Sequence, residues 1–240
     1  MKPISNRLEA LVSMVTPGLP VADIGCDHGF LSMALVGRGI APSAIAMDLR
    51  PGPLGQATKN IAAEGLSEQI ETRLSDGLTK LQVGEASSIV IAGMGGRLLM
   101  HILEEGADVA GAAQELILQP QSEIPLVRHY LVDHGYRLLA EEMLLEDGKY
   151  YMLMKVAPQA TGAGEVLAQR EADFAYGKLL LAHKHPVLGE YLRWEIGLKE
   201  EILSKLPVDG DAHQGRRGEV EDALCSLRAA LAELEEEGDV

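Results

Sequence analysis

Cysteine is scarce in this 240-residue chain: Cys26 and Cys225 are the only two. That excludes a disulfide framework and leaves no CxxC pair for a metal. The histidines are scattered, and His183 and His185 lack partners at ligand spacing, so no metal site is expected. No apolar run approaches the roughly 18 residues that a membrane helix needs. The opening Met-Lys-Pro-Ile-Ser-Asn-Arg holds no apolar signal core. These absences predict a cytoplasmic protein with reduced thiols and no membrane contact. Basic residues are also in deficit, 21 against 36 acidic ones, for a net charge of −15. That balance speaks mildly against a nucleic-acid partner, because phosphate contacts need basic surface. Only the local patch matters, however, and folding decides that.

Apolar residues are plentiful at 47%, enough for a full core and a small second domain. Residues 5–15 read as a helix, with Ser5 and Asn6 as caps and Leu8, Leu11, Val12 and Val15 on one face. Five short β-type runs follow, near 20–24, 44–48, 70–74, 88–92 and 115–119, four of them leading through a turn to a helical pattern and the third into Ser75-Asp76-Gly77. That alternation predicts a parallel sheet covered by helices. Runs at 136–145 and 149–156, joined by Asp147-Gly148, read instead as an antiparallel hairpin. A closing hairpin separates this pattern from an ordinary dinucleotide fold. By analogy of fold the pattern resembles the α/β, class I (Rossmann-like) S-adenosylmethionine methyltransferase core, which implies a seven-stranded sheet with one reversed strand.

Residues 158–164 read as a linker, which places a methyltransferase domain at 1–158 and a C-terminal helical, coiled-coil-like domain at 164–240. There the pattern predicts helices over 165–182, 187–206 and 218–237, with a loop through Asp209-Gly210 and Gly215 and an acidic tail at the end. Val220, Leu224, Leu227, Leu231 and Leu234 form an a/d seam too short to stand alone, so it is expected to pack on the preceding helix. A monomer is expected, with a dimer through these helices as the alternative.

The most informative stretch is Asp23-Ile24-Gly25-Cys26-Asp27-His28-Gly29. A dinucleotide turn would carry a second glycine at position 27. An aspartate there repels a pyrophosphate but not S-adenosylmethionine, whose sulfonium and ammonium are positive. Asp48 ends the second strand, where an acid accepts hydrogen bonds from ribose hydroxyls. Asp76-Gly77 follows the third strand and Gly93-Met94 the fourth. The expected cofactor-binding set is Asp23, Gly25, Cys26, Asp27, His28, Asp48, Leu49, Asp76, Gly77, Gly93 and Met94. His28 serves equally as a brace for the turn.

Ser5-Asn6-Arg7-Leu8, Asp23 through Leu31, Ile91 through Gly96, Ile102 through Gly106 and Leu116 through Gln121 resemble the bacterial tRNA (adenine(22)-N1)-methyltransferases of the TrmK type. The match runs from the first helix through the hairpin, and in outline through the tail. The family usually has Ser or Thr at Cys26, Ala-Tyr at Gly29-Phe30 and Gln-Pro-Asn at Gln119-Pro120-Gln121. The resemblance implies methyl transfer to N1 of an adenine in the tRNA D-arm region, with the helical tail helping to hold the tRNA. No Asn/Asp-Pro-Pro-Tyr motif follows the fourth strand, which fits a ring-nitrogen target. Asp27 is the candidate catalytic group, with a structural role toward Arg7 or the turn N–H groups as its alternative. Arg7, Phe30, Arg97, Gln119 and Tyr150 are the candidate tRNA contacts. A small-molecule methyltransferase and a non-catalytic cofactor-binding module are the competing readings. The helical tail speaks against the first and the acid-bearing strand ends against the second.

Overall fold

The computed structural model describes residues 3–207 and 211–236. The chain forms two compact units, Met1–Ala168 and Gln169–Val240. In the first, strands β1 (Val21–Ile24), β2 (Ala44–Asp48), β3 (Ile70–Leu74), β4 (Ser88–Met94) and β5 (Glu115–Pro120) run parallel in the order β3-β2-β1-β4-β5. Every residue of β1 and β5 is buried, as expected for strands covered on both faces. The connecting helices are α2 (Phe30–Gly37), α3 (Pro51–Ala63), α4 (Gly96–Glu105), α5 (Ala107–Ala112) and α6 (Ile124–Asp133), preceded by α1 (Asn6–Met14). Short α5 has no counterpart in the sequence pattern. Helix α3 begins earlier than its apolar periodicity, because Pro51 occupies its first turn, where no N–H is needed.

Strands β6 (Tyr136–Glu146) and β7 (Lys149–Pro158) form the hairpin. Its turn residues Asp147 and Gly148 both take positive φ, at 50° and 73°. Strand β7 inserts antiparallel between β5 and β6, and is the reversed strand. The sheet then gains an eighth strand, β8 (Glu165–Val166), antiparallel to β6 and so a second reversed strand where one was expected. This corrects the expected count of seven, and the sheet continues beyond the segment read as a linker. Two residues are too few to show a period. The signal was Gly164, at φ 81°, where a Cβ would lie 2.6 Å from the Leu138 carbonyl oxygen.

Helix α1 is fastened at both ends. At its start the Glu146 carboxylate accepts the Asn6 N–H at 2.5 Å, and Ser5 Oγ caps the Leu8 N–H at 3.3 Å. Past its end, buried Glu115 accepts the Thr16 N–H at 2.9 Å and the Ser88 hydroxyl at 3.0 Å, and pairs with Lys155 at 2.8 Å. These contacts set where Arg7 stands.

The second unit holds α7 (Glu171–Tyr176), α8 (Lys178–Ala182), α9 (Pro186–Lys205) and α10 (Asp211–Glu235). The single helix expected over 165–182 is broken at Gly177, whose φ of 100° no helix accommodates. Helix α10 starts earlier than predicted and takes in Gly215, which had read as loop. Asp209-Gly210 and the tail from Glu237 lie outside the described residues. Helices α9 and α10 run antiparallel, with Arg193 paired to Glu235 and Glu200 to Arg228. Seam residues Val220, Leu224, Leu227 and Leu234 are buried, and Leu231 is half-buried.

Arg128 on α6 and Glu141 on β6 form an ion pair at 3.0 Å with both side chains shielded from solvent. Removing one partner strands the other charge in a low-dielectric interior. Glu141→Ala should therefore lower the unfolding free energy by about 3–5 kcal/mol, as measured by urea denaturation, with Glu141→Gln losing less.

Candidate active site

The loops at the carboxyl ends of β1, β2, β3 and β4 converge on one cavity of about 580 Å³. That volume lies within the usual range for small-molecule sites. All of the expected cofactor-binding residues, from Asp23 to Met94, line it. Of the expected tRNA contacts, Arg7 and Phe30 line it as well.

The turn after β1 is held by the main chain of β2. The Met47 carbonyl accepts the N–H groups of Gly25 and Cys26 at 2.8 and 2.9 Å. The carboxylate of Asp48, nearly buried, accepts the Asp27 N–H at 3.2 Å and the Arg50 N–H at 2.8 Å. Gly25 has φ 77°, and a Cβ there would overlap the Met94 methyl. Asp27 has φ 50°, the left-handed conformation that a glycine would otherwise supply and that aspartate tolerates. The backbone of a glycine turn is thus kept while a charge is added.

The Asp27 carboxylate does not hold Arg7. Its side chain is 58% exposed, with His28 Nε2 at 3.7 Å. His28 is braced through its main chain, since the Asn60 amide donates to its carbonyl at 3.0 Å. Its ring meets Phe30 edge-on, and its Nδ1 has no hydrogen-bond partner among the described residues.

Asp23 is buried and accepts the Ser32 hydroxyl from α2 at 2.7 Å. Burial pushes its carboxyl up to about 6; the Ser32 hydrogen bond opposes this and the nearby Asp48 adds to it. Cys26 is buried among Asp23, Asp48 and Asp27. Desolvation and these charges push its thiol up, so it is not a thiolate nucleophile. Ser75, after β3, donates its N–H to the Asp48 carbonyl at 3.0 Å and its hydroxyl to the Gly77 carbonyl at 3.0 Å. Asp76 beside it is exposed.

Gly93 sits in a β-bulge at φ 78°, where the β4–β5 register shifts between Ala92 and Met94. Its N–H donates to Gln119 Oε1 at 3.1 Å. That same oxygen accepts from Arg7 Nη1 at 3.1 Å, and Arg7 lies over the Tyr151 ring at 5.6 Å. Gln119 is fully buried and does not line the cavity, so its amide braces the site from behind. Arg97 pairs with Glu123 at 2.5 Å and, like half-buried Tyr150, stands outside the lining. Gln121 does line it. The signal for Gln121 was its place just beyond the carboxyl end of β5, the same edge that carries the other loops.

The chemistry of the lining favours a cation. Asp23, Asp27, Asp48 and Asp76 all face the cavity, with Arg7 and Arg50 as its cations. A sulfonium and an ammonium suit this set, and a pyrophosphate does not. Among the described residues no cluster of His, Cys, Asp or Glu could hold a metal, and no helix is long and apolar enough to cross a membrane.

Residues 4–154 match a family model described as a methyltransferase domain. The chain is 32% identical to the tRNA (adenine(22)-N(1))-methyltransferase of Bacillus subtilis, over 89% of this chain and 90% of that protein. The chain belongs to the tRNA (adenine(22)-N1)-methyltransferase family. Solved structures agree. The crystal structure of the B. subtilis M1A22 tRNA methyltransferase TrmK superposes with a TM-score of 0.82 at 30% identity, covering 95% of this chain and 99% of that one. Streptococcus pneumoniae Sp1610, solved in complex with S-adenosyl-L-methionine, gives 0.84 at 35% identity, covering 95% and 100%.

The raised carboxyl of Asp23 makes a pH prediction. The folded protein holds this proton to about pH 6, whereas the unfolded chain releases it near 3.8. Between those values the native state binds the extra proton, so the Asp23 contribution to stability falls as pH rises. Asp23→Asn removes that fall. Urea unfolding at pH 4 and pH 7 should show the variant gaining on the wild type by about 2–3 kcal/mol across the interval.

Proposed function

We propose that the chain transfers a methyl group from S-adenosylmethionine to N1 of adenine 22 in the D-arm region of tRNA. The carrying observation is the acid-lined cavity at the carboxyl ends of β1–β4, in a chain that aligns with the B. subtilis enzyme over most of both lengths. When bound, S-adenosylmethionine supplies a methyl activated by its sulfonium, and the N1 lone pair of adenine needs no prior deprotonation to accept it.

The chain's own part is alignment and charge. Gly25 and Gly93 let the backbone approach closely, and Asp48 fixes the turn that carries Asp27. The exposed Asp27 carboxylate is placed to face positive charge as it grows on the base, and to take the N6 proton of the cationic product. His28, 3.7 Å away, is placed to receive that proton in turn. Phe30, 42% exposed at the cavity, is the stacking surface for a base drawn out of the tRNA fold. Arg7 contacts the substrate from its seat on Gln119 and Tyr151. Arg97 and Tyr150 serve as outer contacts.

The division of labour follows the chain. The unit Met1–Ala168 carries the cofactor site, and the unit Gln169–Val240 holds the tRNA. In α9 and α10, Arg193, Lys199 and Arg228 are each paired with a glutamate. RNA docking there exchanges ion pairs for phosphates and is correspondingly salt-sensitive. Four of the five seam residues are buried within the chain, which supports a monomer. The site of action is the cytoplasm.

Labelled methyl transfer to unmodified tRNA tests this reading: adenine at position 22 should accept the label, and guanine there should not. Asp27→Asn should bind cofactor as the wild type does, while its single-turnover rate falls at least about tenfold. An unchanged rate removes Asp27 from the chemistry.

A further inference from the structure

Two glutamines flank Pro120, and the structure puts them to different uses. Gln119 lies within β5 and Gln121 just past its end, and the Gln119 amide accepts the Gly93 N–H. Gln119 is buried, and its oxygen is occupied by Gly93 and Arg7. Gln121 is exposed at the cavity, its backbone N–H anchored on the Met94 carbonyl at 2.8 Å. Its side-chain amide has no hydrogen bond within the described residues. A point one methyl above Gly93, where a Cβ would stand, lies 3.8 Å from Gln121 Nε2 and 3.7 Å from Arg7 Nη1. The cavity beside Gly93 therefore carries a carboxamide with both its donor and its acceptor available.

We propose that Gln121 recognises the target adenine through its N6/N7 edge, and so sets the base's orientation for attack by N1. The inference rests on the function proposed above. A planar carboxamide is complementary to adenine at that edge: the Oε1 accepts from the N6 amino group while the Nε2 donates to N7. The N1 atom, on the neighbouring edge, takes no part in that pairing and stays free to attack. Guanine offers acceptors at both O6 and N7, so the same amide would set its oxygen against O6. Gln119 takes no part in this reading, because its amide is engaged behind the wall. Its work is to hold Gly93 and Arg7 still.

The test uses the full-length enzyme and two tRNAs, one with adenine and one with 7-deazaadenine at position 22. The deaza base keeps N1 and N6 but has a C–H in place of the N7 acceptor. Gln121→Met keeps the side-chain length and removes the amide. On the adenine tRNA, Gln121→Met should lose about tenfold in kcat/KM, with S-adenosylhomocysteine binding unchanged as the check on folding. On the deaza tRNA the wild type should lose about tenfold, whereas Gln121→Met should lose nothing further. Equal losses in the two enzymes on going to the deaza base, or a Gln121→Met variant as active as the wild type on adenine, would overturn the assignment. A wild type that methylates adenine 22 but not through Gln121 leaves the proposed function standing. A wild type that does not methylate it removes both.

Discussion

The site depends on the second strand holding the turn that follows the first. Parallel neighbours end side by side, so the last groups of one can reach the loop of the other. Here the Met47 carbonyl takes two N–H groups of the turn and the Asp48 carboxylate takes a third. The turn then has no slack, and Asp27 is presented at the cavity in an otherwise uncommon conformation. The fourth strand is held in the same manner from the other side. Buried Gln119, at the end of β5, reaches across to Gly93. One tie runs from a strand to its neighbour's loop and the other to its neighbour's bulge, so the cavity is shaped by strand pairing and not by the loops alone.

The charge of the site follows from this scaffold. Carboxylates stand close together around the cavity, two of them nearly buried, and Asp48 adds to the burial that raises the affinity of Asp23 for a proton. Such a cluster is costly to the empty protein and is relieved by a cation. Ligand binding and fold stability are thereby linked through electrostatics, and a positively charged methyl donor is the ligand that gains from it. The overall acidity of the chain, which argued mildly against RNA, is partly a property of this cavity and of the ion-paired α9–α10 hairpin.

Much of this was legible in the sequence. The β/α alternation, the Asp-Gly hairpin and the acids at strand ends are local signals, and each maps to one element or one loop. What escaped were features made by contacts between distant segments. Strand β8 is two residues long and exists because Gly164 can approach β6. Helix α10 runs through Gly215, since packing on α9 outweighs one poor helix former. Gln119 read as a substrate contact because its type and its place at a strand end allow it; only burial shows that its amide faces inward. Gln121 carried a signal in its position just past β5, but polar residues at strand ends are common, and only its unengaged amide in the cavity sets it apart.

The conformation of Asp27 has a consequence for how such turns diversify. Its left-handed backbone is one that glycine adopts freely, and the codons of aspartate and glycine differ by a single base. Exchange at this position alters the charge presented to a ligand while the path of the chain stays as it is. Ligand preference and architecture are therefore separable here: a mutational step can retune the one and leave the strand ends where they stand.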